Sequence, residues 1–412
     1  MLPQQNITPV ASRTPCRHFD GIDVIRGLCI MNVVLHHTNI RIPFADSPLG
    51  ALLPKLVINA LFWTGDYSVK IFFVVSGFLI TNSILGRWQD LRSISVPTFY
   101  RLRFARIAPC LLALLAVLSG LHLAHLEGFT INPERTTLLR AIFAALTFHI
   151  NWLEAHVGYL PGSWDVLWSL SVEETFYLAY PLLCRFVRNR VVLLATAAAL
   201  VIAGPIARTH AFNDIWYDYS YLGGMDCIAI GCVTAMLARM SWAQCIPVWC
   251  LASIGGALIL VVWFRSIAHR LGLLASGLEV TVLGIGVALV ILAMSWSSRS
   301  GTAGRFIAGP ATSIFRWYGR NSYEIYLTHM FVVLVVTQIF ETTHASVRLI
   351  PLLFASNLIF AGVLGYAVAR WFSEPMNRKL RAGLIFHGRE KTLDTAILIE
   401  QHPPVQQPPI SF

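Results

Sequence analysis

The sequence predicts an all-α membrane protein, a polytopic bundle of about ten transmembrane helices with one or two re-entrant or interfacial segments. Three observations support this fold class. Hydrophobic residues make up 56% of the 412 residues and charged residues only 13%, whereas a soluble domain carries about 25% charged residues. Apolar segments follow one another almost without a break from residue 22 to residue 372. The basic residues gather in short clusters between them, as in the cytoplasmic loops of membrane proteins.

Ten segments have the length that a helix needs to cross a membrane, because roughly 20 apolar residues span about 30 Å of hydrocarbon. In chain order these predicted spans are 22–41, 68–86, 105–126, 165–184, 191–207, 222–238, 247–264, 273–295, 321–340 and 350–370. Two further apolar segments, 51–64 and 138–152, are short. We expect each of these two to be re-entrant or interfacial.

The distribution of basic residues predicts the orientation of the bundle. With ten crossings, most of the 31 Lys and Arg residues fall in loops on the side of the N-terminus. Such loops face the cytoplasm, so both termini are expected there. Residues 1–21 are polar and the end of the chain is rich in Pro and Gln. We expect cytoplasmic tails at 1–21 and 373–412, around a single transmembrane domain at 22–372.

Two other kinds of site are not indicated. The net charge of +10 is explained by membrane topology, so we expect no nucleic-acid partner. The eight cysteines form no CxxC pair, and the only HxxH pair, His122 and His125, has no clear further ligand beyond Glu127. We therefore expect no metal site.

The first predicted span carries four polar groups: Asp23, Arg26, His36 and His37. Such groups are costly in a membrane and mark functional sites. Eleven residues make three helical turns plus about 20°, so Arg26 and His37 share a face, whereas His36 points elsewhere. Asp23 lies three residues from Arg26, which allows an ion pair. The simpler interpretation is that Arg26 snorkels to the inner headgroups and the histidines reach the outer interface.

Other predicted spans also carry polar groups. Glu173 and Glu174 lie near mid-span without a basic neighbour in sequence, so they need partners from other helices. His329 also lies at membrane depth, although a lone buried histidine is more often a hydrogen-bonded core residue than a catalyst. Ser76 and Gly77 lie at mid-span, where small residues permit close helix contact. Helix packing is the favoured role for this pair.

One pair of basic residues has a spacing that suits phosphate groups. Arg103 and Arg106 lie three residues apart, on one helical face at the expected cytoplasmic mouth. Each guanidinium offers a fork of donors with a fixed geometry. The alternative is that both are ordinary basic residues at the cytoplasmic side of the membrane.

Together these stretches resemble the acyltransferase type 3 family, membrane-embedded acyl-CoA-dependent O-acyltransferases of the cell envelope. The resemblance covers nearly the whole chain, and its six motifs occur in the family's order. They are Asp23, Arg26, Gly27 and His37; the run 72–80; Arg103, Arg106 and Pro109; the run 168–177; the run 322–329; and Glu374 with Pro375. One departure is Lys70, which stands where the family often has an acidic residue.

The resemblance implies an activity. It is the transfer of an acyl group, expected to be acetyl, from cytoplasmic acyl-CoA to a hydroxyl of an extracytoplasmic carbohydrate or lipid-linked glycan. The expected location is the bacterial plasma membrane, in contact with membrane lipids. Acyl-CoA would be a donor substrate, and no permanently bound cofactor is expected.

The resemblance also implies roles for individual residues. His37 is the expected general base, because an imidazole has an ordinary pKa near 6.5, and Glu173 would orient it as a carboxylate does in a catalytic triad. Arg103 and Arg106 would hold the pyrophosphate of the donor. Arg26 would bind the donor's arm or pair with Asp23. The substrate site is completed by Ser76, Glu174, Tyr323 and His329.

Two other functions are compatible with buried His, Glu and Arg. The first is a proton-coupled transporter or flippase, in which these residues form a proton relay. Such transporters often contain internal repeats, and the two halves of this chain show no convincing repeat. The second is a signalling or scaffold protein, which would leave the mid-membrane carboxylates without a role.

Overall fold

The computed structural model describes residues 20–187, 189–240, 246–300 and 307–382. Within these ranges the chain is helical and contains no strand, which confirms the all-α class. Residues 1–19 and 383–412, where most of both predicted tails falls, lie outside the described residues. The helical structure continues to residue 382, past the start of the predicted C-terminal tail at 373.

The helices differ widely in length. The first nine are α1 Asp20–Arg41, α2 Pro48–Ala51, α3 Lys55–Phe62, α4 Gly65–Trp88, α5 Val96–Leu123, α6 Leu138–Leu146, α7 Ile150–Val157, α8 Gly162–Asp165 and α9 Trp168–Phe186. The others are α10 Arg190–Thr209, α11 Asp214–Tyr219, α12 Tyr221–Leu237, α13 Val248–Trp263, α14 Arg265–Arg270, α15 Glu279–Ser300, α16 Ser313–Arg320, α17 Ser322–Thr342 and α18 Ile350–Val368. A π-helical turn, Ala369–Ser373, follows α18.

Seven helical segments among the described residues are long and apolar enough to cross a membrane, which marks an integral membrane protein. They contain α4, α5, α10, α12, α15, α17 and α18. The predicted count of ten is not confirmed. Of the other three predicted spans, α13 is apolar but has only 16 residues, and α1 and α9 carry the polar groups that the sequence analysis assigned to a site.

The two short apolar segments form helices that are too short to cross a membrane. Residues 51–64 contain α3, which has 8 residues, and residues 138–152 contain α6 with 9 residues and the start of α7. Phe148, with φ of 58°, lies between α6 and α7 and interrupts the helix. None of these helices approaches the roughly 20 residues that a crossing requires.

Two close contacts between helix backbones fix α1 within the bundle. A Cβ atom on Gly27 would lie 1.9 Å from the Phe315 carbonyl oxygen in α16, and one on Gly319 would lie 1.8 Å from the Asp23 carbonyl oxygen in α1. Only glycine permits helices to approach this closely. The contact places the first turns of α1 against α16, next to the start of α17.

The packing role expected for Gly77 is confirmed by a second contact of this kind. A Cβ atom on Gly77 would lie 2.0 Å from the Ile228 carbonyl oxygen in α12, and one on Gly231 would lie 2.0 Å from the Val74 carbonyl oxygen in α4. This crossing holds one face of α4 against α12. Ser76, the preceding residue, points to a different side of α4, towards Tyr177, and takes part in the site described below.

Candidate active site

A cavity of about 520 Å³ lies between α1, α4, α5, α9 and α17. We call the two ends of the bundle the Asp20 end and the Arg41 end, after the first and last residues of α1. The cavity begins near Arg87 and Trp88 at the Asp20 end and runs to Ser169 and Tyr326, towards the Arg41 end. Its volume is in the range of small-molecule sites, about 300–1,000 Å³.

Arginine is the dominant charged residue in the wall of this cavity. Arg26 donates a hydrogen bond from Nε to Ser322 Oγ at 3.1 Å. The Arg103 guanidinium lies 3.5 Å from the centre of the Tyr177 ring. The arginines of the wall are Arg26, Arg87, Arg103, Arg106 and Arg381. Five guanidiniums around two carboxylates, Glu173 and Glu174, make a cavity that suits an anionic ligand.

One buried carboxylate that the sequence analysis did not identify supports these arginines. Glu324 is only 2% exposed, and its Oε1 lies 3.8 Å from Arg106 Nη2. The same oxygen accepts a hydrogen bond from Ser373 Oγ at 2.7 Å. Ser373 ends the π-helical turn after α18, a kind of distortion that is frequent at functional sites. The sequence did contain an indication of this role, because Glu324 directly follows Tyr323 within the family motif at 322–329.

The two adjacent glutamates lie beside Arg103 of another helix, α5, and Glu173 also has a partner within α9 itself. Glu173 Oε2 accepts a hydrogen bond from the Tyr177 hydroxyl at 3.2 Å, and that hydroxyl is also hydrogen bonded to Ser76 Oγ of α4. The positive charge of Arg103 acts on both carboxyl groups. Glu174 is 7% exposed, and its Oε1 has no hydrogen-bond partner among the described residues.

His37 and His329 lie side by side, with ring centres 5.1 Å apart. His37 is half-buried, whereas His329 is fully buried. His329 Nδ1 lies 2.7 Å from the Tyr326 carbonyl oxygen. A carbonyl oxygen can only accept, so Nδ1 carries the proton and Nε2 presents its lone pair. Nε2 has no hydrogen-bond partner in the described part of the chain.

His36 has different neighbours from His37, in agreement with the helical-face argument. Its Nδ1 lies 3.0 Å from the Phe62 carbonyl oxygen. Its ring packs against the Trp63 ring at a centre-to-centre distance of 6.0 Å and leaves no space for a Cβ atom on Gly65. His36 therefore contacts α3 and the start of α4, on a different side of α1 from α17.

The cavity ends one helical turn short of the two imidazoles. Tyr326 lines the cavity, and its ring centre lies 5.8 Å from that of His329. Its hydroxyl donates to the Val166 carbonyl oxygen at 2.9 Å and is hydrogen bonded to Ser169 Oγ at 2.7 Å. His37 and His329 are not among the lining residues. Tyr326 thus separates the cavity from the imidazole pair.

Asp23 lies at the Asp20 end, close to a cation that the sequence analysis did not identify. It is 5% exposed, and its Oδ2 lies 3.4 Å from Arg320 Nε. Arg320 Nη2 also lies 3.4 Å from Asp20 Oδ1. These contacts join the start of α1 to the end of α16, beside the close contact at Gly319.

The structure brings most of the predicted site residues to one place. Seven line the cavity: Arg26, Ser76, Arg103, Arg106, Glu173, Glu174 and Tyr323. His37 and His329 form the pair beyond Tyr326, and Asp23 lies at the Asp20 end. Glu173 hydrogen bonds to Tyr177 rather than to His37. The side chain from another helix that packs against the His37 ring is His329. No group of three or more His, Cys, Asp or Glu that could hold a metal ion occurs among the described residues.

The chain is similar to known proteins over most of its length. A family model described as an acyltransferase domain matches residues 19–371. The peptidoglycan O-acetyltransferase OatA of Listeria monocytogenes is 24% identical over 384 residues, which are 84% of this chain and 54% of that protein. The O-acetyltransferase OatA of Staphylococcus aureus is 26% identical over 182 residues, which are 42% of this chain and 26% of that protein.

The matched regions cover only part of each relative. The chain spans about half the length of the Listeria protein and about a quarter of the Staphylococcus protein. No solved structure matches the chain significantly.

Proposed function

Because this chain belongs to the acyltransferase domain family, we propose that it is a membrane O-acyltransferase. Its donor is a cytoplasmic acyl-CoA, expected to be acetyl-CoA, and its acceptor is a hydroxyl of a carbohydrate on the other side of the membrane. The names of the two relatives, a peptidoglycan O-acetyltransferase and an O-acetyltransferase, support acetyl as the acyl group and a glycan as the acceptor.

One observation carries this proposal. A cavity lined by five arginines opens at the Asp20 end and stops, at Tyr326, one helical turn from a pair of imidazoles. The two ends of the arrangement therefore offer the two kinds of group that the reaction needs. Guanidiniums bind phosphates, and an imidazole accepts the proton of an attacking hydroxyl.

The distribution of charge supports the orientation. Basic residues concentrate at the Asp20 end, which contains Arg87, Arg92, Arg101, Arg316 and Arg320. By the positive-inside rule this end faces the cytoplasm. The cavity then opens towards the compartment that holds acyl-CoA, in the plasma membrane of a bacterium, and both termini lie on that side.

The donor is held by charge and by the shape of the cavity. Arg103 and Arg106 lie in its wall, with Arg106 next to Glu324 and Arg103 against Tyr177. The phosphates of acyl-CoA bind at the arginines, and the uncharged pantetheine arm extends between α4, α9 and α17 towards Tyr326. Arg26, held by Ser322, contacts this arm.

The chemical step is a direct transfer. His37 takes the proton of the acceptor hydroxyl while its oxygen attacks the thioester carbon. The new C–O ester bond forms and the C–S bond breaks, so that CoA leaves as a thiolate. The imidazolium of His37 then returns the proton to the sulfur, which restores the neutral base and gives free CoA. His329, whose ring centre lies 5.1 Å from that of His37, packs beside this base and helps to keep its ring in place.

The reaction requires that the thioester pass the Tyr326 side chain. Tyr326 is held by Ser169 and by the Val166 carbonyl oxygen. Both hydrogen bonds are made by the side-chain hydroxyl, so a change of the Tyr326 rotamer breaks them and opens the cavity towards His329 without a rearrangement of helices. The phenol also keeps water and protons from passing between the compartments when no donor is bound.

A reconstituted system tests the proposal. The purified protein in liposomes is supplied with radiolabelled acetyl-CoA on the side of the Asp20 end and with oligosaccharides on the other side. We expect labelled oligosaccharide and free CoA in equal amounts, and both to form about 10²- to 10⁴-fold more slowly with His37→Ala. Proton-coupled uptake of a solute without formation of an ester would instead support the transporter. Mass spectrometry of surface glycans from cells with and without the protein would identify the acceptor.

A further inference from the structure

A second, smaller cavity of about 240 Å³ lies at the Arg41 end, outside the site described above. One wall is the segment between α5 and α6, including Thr130, Asn132 and Arg135, and the other is the segment between α7 and α8, including Tyr159 and Leu160. On the proposed orientation this cavity faces the outside of the cell. None of its residues lines the large cavity.

The walls of this cavity are held by specific polar contacts. Arg135 Nη1 donates to the Tyr159 carbonyl oxygen at 3.0 Å, which ties the two walls together. The Leu160 backbone N–H donates to Glu154 Oε1 at 3.1 Å, and Glu154 is fully buried. The Ile131 backbone N–H donates to His122 Nδ1 at 3.0 Å. The cavity is therefore a defined feature of the fold and not a gap between loose loops.

The chemistry of the lining suits a carbohydrate. Tyr159 is 50% exposed and presents an aromatic ring on which the C–H face of a sugar can stack. Arg135 uses Nη1 for the Tyr159 carbonyl, so its Nε and Nη2 groups are available to sugar hydroxyls. Asn132 uses Oδ1 for the Glu134 backbone N–H, and its amide N–H groups remain as donors. One aromatic face with several convergent donors orients a polar ligand.

The size and charge of the cavity further limit the sugars that it can bind. Its volume is below the range of about 300–1,000 Å³ that holds a drug-sized molecule, so it admits one sugar ring and not a whole oligosaccharide. Arg135 is the charged residue in the lining. The cavity therefore accepts a neutral or an acidic sugar.

The cavity is connected to the imidazole pair by the next residues of the chain. Pro161 lines the cavity, and Gly162 follows it at the start of α8. A Cβ atom on Gly162 would lie 2.6 Å from Met330 Cε and 3.7 Å from Arg41 Nη2. Met330 directly follows His329, and Arg41 lies one helical turn beyond His37. A glycan chain with one ring in the cavity therefore extends past the end of α1 and the Met330 turn of α17, the two helices that carry the imidazoles.

We propose that this cavity binds one sugar unit of the acceptor glycan, adjacent to the unit that receives the acyl group. That the bound sugar belongs to the acceptor of an acyl transfer rests on the proposed function. That the ligand is a sugar rests on the lining of the cavity itself. Tyr159 supplies the stacking surface, and Arg135 and Asn132 supply the hydrogen-bond donors. These residues select the acceptor and take no part in the chemical step.

The experiment compares acceptor kinetics with donor kinetics in the purified full-length protein. We expect Tyr159→Ala and Arg135→Met each to raise KM for the oligosaccharide acceptor about tenfold, the effect of losing one good contact. KM for acetyl-CoA should stay unchanged, because the two cavities share no lining residue. Tyr159→Phe keeps the ring and should behave as the wild type. Matched controls are Arg140→Met and Phe143→Ala, two exposed residues of α6 outside the cavity.

A binding measurement separates this proposal from the proposed function. Binding of chitotetraose, cellotetraose and maltotetraose to the wild type and the variants is followed by thermal shift, without any donor. Binding that is weakened by Tyr159→Ala and Arg135→Met but not by the α6 controls supports the sugar site, even if no acyl transfer occurs. Equal binding and equal acceptor KM in all variants, or no binding of any oligosaccharide to the wild type, would overturn it. A wild type that binds sugar but transfers no acyl group would contradict the function alone.

Discussion

His37 and His329 come from helices at opposite ends of the sequence, and their ring centres lie 5.1 Å apart. Their roles differ because their surroundings differ. His329 is fully buried and donates Nδ1–H to the Tyr326 carbonyl oxygen, so its tautomer is fixed. His37 is half-buried at the end of the bundle that an outer acceptor would reach. On the proposed function, His37 is the imidazole that accepts a proton from substrate, and His329 packs beside it.

The first prediction concerns the two adjacent histidines of α1. We expect His37→Ala to lower the rate of acyl transfer about 10²- to 10⁴-fold, the contribution of a positioned general base. His36→Ala should keep most of the activity, because His36 contacts Phe62 and Trp63 on another side of α1. The measurement is transfer of labelled acetyl to an oligosaccharide at matched protein levels. Equal losses in the two variants would contradict the assignment.

The second prediction concerns Glu324, which lies beside Arg106 of the proposed donor site and helps to position it. Glu324→Gln removes the charge beside Arg106 and should raise KM for acetyl-CoA with a smaller effect on kcat. Arg106→Gln should raise the same KM about tenfold or more, because charged hydrogen bonds contribute about 1.5–3 kcal/mol. The measurement is initial rate against acetyl-CoA concentration.

A matched control for that experiment lies on the same helix. Arg101 of α5 is exposed and does not line the cavity, so Arg101→Gln should leave KM for acetyl-CoA unchanged. If Arg101→Gln and Arg106→Gln raised KM equally, the effect would come from overall charge at this end of the bundle and not from a specific contact.

Part of the site could be predicted from the sequence because its residues follow helical spacing. Arg103 and Arg106 lie three residues apart and both line the cavity, as a shared helical face requires. His36 and His37 have different neighbours for the same reason. The spacing of residues within one helix determines which side chains share a face of that helix, and the structure agrees with the predicted faces.

Contacts between helices could not be predicted in the same way. Glu324 contacts Arg106 and Ser373, which are distant in sequence, so no local pattern indicates their proximity. Glu173 was expected to orient His37 across helices. Its hydrogen bond comes instead from Tyr177, one turn further along α9, and the charge of Arg103 reaches it from α5, which no pattern within α9 indicates. The break at Phe148 also depends on one residue with positive φ, which the apolar run 138–152 does not reveal.

The third prediction tests the close contact between α1 and α16. In Gly27→Ala the new Cβ atom would lie 1.9 Å from the Phe315 carbonyl oxygen, so the helices must move apart. We expect a loss of about 1–3 kcal/mol of stability, as for other overpacked cores. Gly120→Ala is the control, because nothing lies within 4 Å of its Cβ position. In a helix this second substitution should stabilise the protein by about 0.5–1 kcal/mol. Thermal unfolding in detergent measures both changes.

The fourth prediction concerns the pH dependence of stability at the Arg41 end. Burial raises the pKa of Asp165 to about 6, and burial also raises the pKa of the nearby Glu154 well above its usual range. In the unfolded chain an aspartate titrates near 3.9, so the folded state holds the proton more tightly. The stabilisation that this provides is complete at a pH below the unfolded pKa and is lost as the pH rises through about 6.

We therefore expect the melting temperature in detergent to fall between pH 4 and pH 7, and Asp165→Asn to reduce that dependence. The amide is neutral at every pH and can still accept the hydrogen bond that the Tyr219 hydroxyl makes to Asp165 Oδ1 at 3.0 Å. Asp214→Asn changes an exposed carboxyl group in α11 and should leave the dependence as it is. Glu154 keeps its raised pKa after the substitution because burial is the main cause, so part of the slope remains until Glu154→Gln is added. A double variant with the slope of the wild type would show that other groups control this transition.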